Sequence, residues 1–255
     1  MIVPKKIRVI PRLDIKGANV IKGVHLECLH IVGNPEEMAT RYYSQGADEL
    51  IYMDVVASLY GRNNLLDIVE KTAKNVFIPL TVGGGIRSID DIKSVLRAGA
   101  DKVAINTHAT LNPQFITAAA RTFGSQCIVG SIEAKKINED RWEVFTDNGR
   151  VETGLDAVNW AINLEQLGAG ELLITSIDQE GTAKGYDTEL IKKIAPNISI
   201  PVIACGGAGK PEDMVLAVKE GFADAVAAGN IFHYNKYSIA EVKKFLRERG
   251  IDTRS

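Results

Sequence analysis

The sequence predicts an α/β protein, a single (βα)8 barrel over residues 1–255 built from half-barrel repeats at about 1–122 and 123–246, and three observations predict it. The chain has 255 residues, 45% of them hydrophobic, close to the roughly 250 that eight strand–helix units need. Short apolar runs alternate with amphipathic stretches of helical period, the pattern of parallel strands joined by crossover helices. Segments also recur at a fixed offset: GADEL at 46 to 50 returns as GAGEL at 168 to 172, and IPLTVGGG at 78 to 85 returns as IPVIACGG at 200 to 207, each displaced by 122 residues. Self-similarity of this kind marks a duplicated architecture.

Taken in order, the strands fall at 7–14, 49–54, 77–82, 101–105, 126–133, 171–176, 200–204 and 223–228, the eight that close a barrel. The first, IRVIPRLD, ends on Asp14. NPEEMATRYYSQG follows, with a proline at its start and a glycine at its end, the punctuation of a helix. After the third strand SIDDIKSVLRAGA reads as a helix with Ser88 as its N-cap. The fifth strand, CIVGSIE, ends on Glu133, 119 residues after Asp14. The stretch KKINEDRWEVFTDNGRVETG behind it is longer than a βα loop requires and reads as a hairpin turning at Asp147-Asn148-Gly149. No low-complexity linker separates the halves, as expected for one fused barrel.

Composition narrows the function. Net charge is −2 and no cluster of four or more basic residues occurs, so neither nucleic acid nor an anionic membrane is an expected partner. Charges interrupt every apolar run of MIVPKKIRVIPRLDIKG, and no stretch of 18 apolar residues exists, so a cytoplasmic protein without a signal peptide is expected. Cys28, Cys127 and Cys205 stand far apart with no CxxC, and His25, His30, His108 and His233 show no ligand spacing. Reduced thiols are expected, with no metal and no cofactor. His233 reads as packing near the last helix, and Trp142 and Trp160 as packing residues.

In such barrels chemistry occupies the C-terminal ends of the strands. Asp14, Asp54, Asn106, Glu133 and the segment 176–178 fall there. So do the triple glycine ending at Gly84 and Gly85 and the pair Gly206-Gly207. Glycines free backbone N–H groups to face a phosphate, and each cluster pairs with a second loop: Asn106-Thr107 after the fourth strand, Ala228-Gly229-Asn230 after the eighth. Two such loops related by the repeat imply an elongated bisphosphate across the barrel mouth; the competing reading is that the glycines only permit tight turns. Asp14 and Glu133, between the loops, suit proton transfers on the middle of that ligand. Lys16 and Lys135, two residues on, offer them ion pairs instead.

The motifs NVIKG, ADELIYMDVVAS, IPLTVGGGIRS, GADKVAINT, FGSQCIV, ELLITSIDQEGTAKGYD and IPVIACGGAGK resemble the cyclase subunit of imidazole glycerol phosphate synthase, the glutamine-dependent enzyme of histidine biosynthesis. The resemblance covers essentially the whole chain. FGSQ and TSIDQEGTAKGYD favour the cyclase over the related isomerase. It implies a barrel that receives ammonia from a separate glutaminase subunit through its interior. There the ammonia attacks a ketone-bearing, open-chain ribulosyl bisphosphate intermediate, two acids close an imidazole, and an aminoimidazole carboxamide ribotide leaves. By resemblance, Asp14 and Glu133 are the acids, Lys22 is a mobile-loop lysine closing over the substrate, and Asp178 joins the phosphate loops in binding it. Arg8, Glu49, Lys102 and Glu171 match a ring of salt bridges at the ammonia entrance, and Asp101 a contact to the glutaminase.

The chain departs from that pattern at several positions. Glu133 stands where an aspartate is usual, Cys205 where a serine is, Glu180 where an aspartate is, and Gly229-Asn230 alters the last phosphate loop. Arg12 replaces a small residue, and the alternation Arg8, Ile10, Arg12, Asp14 points it inward. A guanidinium there needs a partner, and pairing with Glu133 or Asp14 is expected to depress that acid's pKa. These changes resemble a branch that supplies ammonia beside a glutaminase and an N-acetyl sugar amidotransferase for acetamidino sugars of surface polysaccharides.

Overall fold

The structure, a computed structural model, describes residues 6–56 and 65–254. Its elements in chain order are β1 Arg8–Lys16, β2 Asn19–Val24, β3 Glu27–Gly33, α1 Pro35–Ser44, β4 Leu50–Asp54, α2 Leu66–Ala73, β5 Leu80–Gly83, α3 Ile89–Arg97, β6 Lys102–Ile105, α4 Thr107–Leu111 and α5 Gln114–Phe123. The second half holds β7 Ile128–Lys136, β8 Trp142–Thr146, β9 Val151–Asp156, α6 Ala157–Leu167, β10 Glu171–Ser176, α7 Thr188–Ile194, β11 Val202–Cys205, α8 Pro211–Lys219, β12 Ala225–Ala228, α9 Asn230–His233 and α10 Ile239–Glu248. Eight strands, in the order β1, β4, β5, β6, β7, β10, β11, β12 and back to β1, pair in parallel and close the barrel. They are the eight expected ones.

Two of them start later than their apolar runs. Leu80 and Val202 each follow a proline, Pro79 and Pro201, which has no N–H to give a ladder. The carbonyls of those prolines accept from Leu50 N and Leu172 N, both at 2.9 Å. Asp101 and Asp224 then accept from Leu80 N and Val202 N at 2.8 and 2.7 Å. The two halves thus start β5 and β11 with the same hydrogen bonds. At the other end Gly84 (φ 100°) and Gly85 (φ 71°) correspond to Gly206 (φ 96°) and Gly207 (φ 101°). A Cβ on Gly84 would run into the Asp54 carbonyl, and one on Gly207 into that of Gly185, so only glycine fits these turns.

Helix starts follow the expected signals. Asn34 accepts from Glu36 N and Glu37 N ahead of α1, and Ser88 forms a reciprocal capping box with Asp91 ahead of α3. The hairpin after Glu133 is present: β7 runs past the barrel to Lys136, pairs antiparallel with β8, and β8 pairs with β9. Its turn carries Asp147, Asn148 and Gly149 at φ 50°, 59° and 75°, the left-handed conformations that Asp-Asn-Gly tolerates.

A second hairpin corrects the reading of NVIKG as a loop. β2 pairs antiparallel with β1, Asp14 opposite Ile21, and β3 pairs with β2. The turn at Gly17 (φ 60°) lets Val20 and Ile21 bury themselves over the mouth, and Lys22 is carried inward with them. Most apolar side chains fill the layer between barrel and helices. Inside, Ile10, Ile51, Met53, Val129, Leu173, Ile203 and Cys205 pack with Ala104, Ala225 and Ala227. Trp142 and Trp160 are buried; Trp142 Nε1 donates to Asp187 at 2.8 Å. The side chain of Cys28 lies outside the described residues; Cys127 and Cys205 are free thiols. Among the described residues no helix is long and apolar enough to cross a membrane.

Candidate active site

Alternation along β1 points Arg8, Ile10, Arg12 and Asp14 into the barrel in sequence, from its floor to its mouth. At the floor four charges close a ring. Arg8 donates to Glu49 at 2.9 Å and Glu171 at 2.5 Å, and Lys102 to the same two carboxylates at 3.0 and 2.8 Å. All but Lys102 are buried. Asp101 is exposed beside this ring.

At the mouth, Asp14 is buried and accepts from Arg12 Nε at 2.8 Å and Lys22 Nζ at 3.4 Å. Burial opposes its ionisation, but Arg12 and then Lys22 outweigh burial and hold the carboxyl below its usual value. Glu133, on β7, is equally buried, yet among the described residues its Oε2 accepts only the Gly149 N–H, at 2.8 Å. Burial pushes it up to about 7, against the nearby charge of Arg12. Of the two partners open to Arg12, then, Asp14 takes the bond and is depressed, while Glu133 moves the other way. The ion pairs open to Lys16 and Lys135 do not form; Lys16 is exposed, and Lys135 lies over the Phe145 ring.

Lys22 is no exposed cation. It is buried between Asp14 and Glu180, with an ion pair to each; burial disfavours its charge, but Glu180 and Asp14 raise its pKa above the normal lysine value. Arg12 reaches across the axis, donating from Nη1 to Thr175 Oγ1 at 2.9 Å and Cys205 Sγ at 3.4 Å. Burial pushes the Cys205 thiol up.

Two of the cavities at the mouth face the glycine loops. The first, about 130 Å³, is lined by Gly84, Gly85, Asn106 and Thr107 together with Asp54 and Glu133. The second, about 10 Å³, is lined by Gly206, Gly207, Ala228 and Gly229 together with Lys22, Glu180 and Asn230. Arg12 lines both. Each expected phosphate loop thus faces a cavity and the two meet at Arg12; Glu133 lines the first, while Asp14 lines a third cavity, about 10 Å³, beside Lys22 and Glu180.

Asp178 is not brought to either cavity. Its carboxylate accepts from Lys136 N at 2.8 Å, because β7 overruns the barrel and presents that N–H beside it. Glu180, two residues on, turns inward instead and meets Lys22 and Gly206. His233 is buried on α9, sharing a 2.7 Å hydrogen bond from Nδ1 with Tyr42 Oη, and burial, then Lys22, lower its pKa to about 3. It packs, but against the site: a Cβ on Gly229 would lie 3.2 Å from its Nε2 and 3.1 Å from the Arg12 carbonyl. Among the described residues no group of three or more His, Cys, Asp or Glu could hold a metal ion.

The family model described as Histidine biosynthesis protein matches residues 8–238. A protein of Legionella pneumophila named imidazole glycerol phosphate synthase subunit HisF is 68% identical over 207 residues, 81% of this chain and 98% of its own. Proteins of the same name from Dehalococcoides mccartyi strains BAV1 and CBDB1 are 52% identical over 247 residues, 97% of each chain.

Proposed function

The chain belongs to the histidine biosynthesis protein family, and from that premise we infer that it is the cyclase subunit of an imidazole glycerol phosphate synthase, with Asp14 as base and Glu133 as acid. Its relatives over most of the chain carry that name. The single observation that carries the residue assignment is the split between two buried carboxylates at one mouth, Asp14 held anionic and Glu133 pushed up to about 7. Environments that drive two acids apart in pKa assign the roles of proton acceptor and proton donor.

Ammonia added to a ketone gives a carbinolamine, and losing water from it requires a proton on the departing oxygen and removal of one from nitrogen. Glu133, protonated near neutrality, supplies the first; Asp14 accepts the second. The same pair serves the ring closure that expels the ribotide. Gly84, Gly85, Asn106 and Thr107 hold one phosphate, and Gly206, Gly207, Ala228 and Gly229, with Lys22, hold the other. The 122-residue offset that relates the glycine pairs also supports reading the barrel as two half-barrels, about 1–122 and 123–246.

A glutaminase subunit supplies the ammonia. In this reading it docks on the floor face near Asp101, and the ring of Arg8, Glu49, Lys102 and Glu171 gates the way into the barrel. The four ring groups balance two positive against two negative charges, with Arg254 Nη1 a further cation 3.8 Å from Glu49, and the ring suits passage of neutral ammonia over ammonium.

Ammonia-dependent turnover of the ribulosyl bisphosphate intermediate by the purified subunit, near neutral pH with excess ammonium, tests the assignment. Turnover lost in Asp14→Asn and kept or raised in Glu133→Asp supports it. No turnover in the wild type with rescue by Glu133→Asp would overturn it, and would favour a barrel that only delivers ammonia to a sugar-modifying amidotransferase.

A further inference from the structure

Arg12 has more donors than the protein uses. A guanidinium carries five N–H groups. Nε gives its one to Asp14, and Nη1 gives its two to Thr175 and Cys205. Among the described residues Nη2 has no acceptor. The side chain is buried, 3% exposed, and anchored to three strands, β1, β10 and β11, so the direction of the free pair is fixed rather than chosen by a mobile arm. Nη2 is not among the sealed, unpartnered polar atoms; its free N–H pair faces the cavities that Arg12 lines. A donor pair held rigidly towards open space, with no protein acceptor, is placed to meet an acceptor on a ligand.

Its place indicates which part of the ligand. The glycine loops that face the two cavities belong to β5 and β6 on one side and β11 and β12 on the other, and Arg12 lines both cavities at their meeting point. A phosphate seated on either loop leaves the connecting chain of a bisphosphate to pass over Arg12. We propose that Arg12 binds the ligand directly, donating from Nη2 to an oxygen in the middle of an open-chain bisphosphate. This rests on the reading of the mouth as a bisphosphate site. It makes Arg12 the residue that selects an oxygen-bearing centre, a ketone or hydroxyl, over a plain hydrocarbon link.

The test is a cycle of four affinities measured by calorimetry. Wild type and Arg12→Met are each titrated with two synthetic open-chain bisphosphates that differ only in a central ketone oxygen replaced by hydrogens. The wild type is expected to prefer the ketone by about tenfold or more, the value of a charge-assisted hydrogen bond, and Arg12→Met by less than about twofold. A preference that survives in Arg12→Met overturns the proposal. So does equal loss of both ligands with circular dichroism unchanged, since Arg12 would then hold a phosphate. Arg12→Lys, which keeps the buried charge beside Asp14 without the fork, covers the case of a misfolded methionine variant: a preference below about threefold is expected, and an undiminished one overturns the proposal. A wild type that binds neither bisphosphate is a separate failure, of the bisphosphate reading itself, and the role of Arg12 falls with it.

Discussion

The two cavities at the barrel mouth share a backbone and differ in what fills them. Both rest on a glycine pair at positive φ, related by the 122-residue offset, and both face a short helix, α4 or α9. The first has about 130 Å³ of free space, the second about 10 Å³. The difference comes from β2, which carries Lys22 over the second cavity and into an ion pair with Glu180. The hairpin over the first, β8 with its turn, brings only the Gly149 N–H to Glu133. The two halves therefore share the glycine backbone, while the charge brought to each acid differs: Arg12 and Lys22 both bond Asp14, whereas Glu133 bonds neither cation and accepts from the Gly149 N–H.

The largest effect expected from breaking that contrast is chemical. Asp14→Asn and Glu133→Gln should each lower turnover by on the order of 10²–10⁴-fold, the span of a general acid or base, with KM moving far less. Equal and small losses in both would mean that the two acids do not divide the proton transfers. The next effect tests what the halves have in common. Gly84→Ala and Gly207→Ala should each cost on the order of 2–4 kcal/mol, because a side chain at positive φ would also meet a backbone carbonyl. Thermal melts would show drops of about 5–10 °C, and a drop in only one half would show that the turns are not equivalent.

Glu180→Gln sharpens the difference between the halves. Without its nearest carboxylate, Lys22 can turn to an anion, so inorganic phosphate should bind the second cavity about tenfold tighter, the scale of one charged hydrogen bond, while the first stays within about twofold. Phosphorus NMR titration reads both. The smallest effect is on stability. The folded pKa of Glu133, about 7, lies above its ordinary value of 4.5, so its contribution to stability is complete below about pH 4.5 and lost as pH rises through 7. Glu133→Gln should leave denaturant midpoints unchanged near pH 4.5 and raise stability by about 1 kcal/mol near pH 9, an effect blunted by water in the open cavity.

Much of this was legible in the sequence. The eight barrel strands were, because a buried parallel strand must be a short apolar run, and the strand ends shifted only where Pro79 and Pro201 withhold an N–H. The glycine pairs were, because no other residue tolerates those turns. Asp147-Asn148-Gly149 marked one hairpin; the other was missed, since NVIKGVHLECLHIVG mixes charges with apolar residues on both faces and holds no tight two-residue turn signal. The identity of ion-pair partners was out of reach. Strand alternation put Arg12 inward but could not say whether it bonds Asp14 or Glu133. Lys22 and Glu180 lie 158 residues apart, and nothing local distinguishes Glu180 from Asp178 as the residue that turns inward.

The ring at the barrel floor has a consequence for folding. Its bonds join residues 41, 163, 53 and 69 positions apart, and Arg8 and Glu171 come from opposite halves of the chain. No short stretch of polypeptide can assemble it, so the loop-closure entropy of the whole barrel is spent before all four charges meet. A lone first half would hold Arg8 and Lys102 around Glu49 alone, one carboxylate for two cations. The ring therefore acts as a clasp that rewards only the closed cylinder, and it sets a penalty on half-formed barrels that the glycine turns, satisfied within each half, do not.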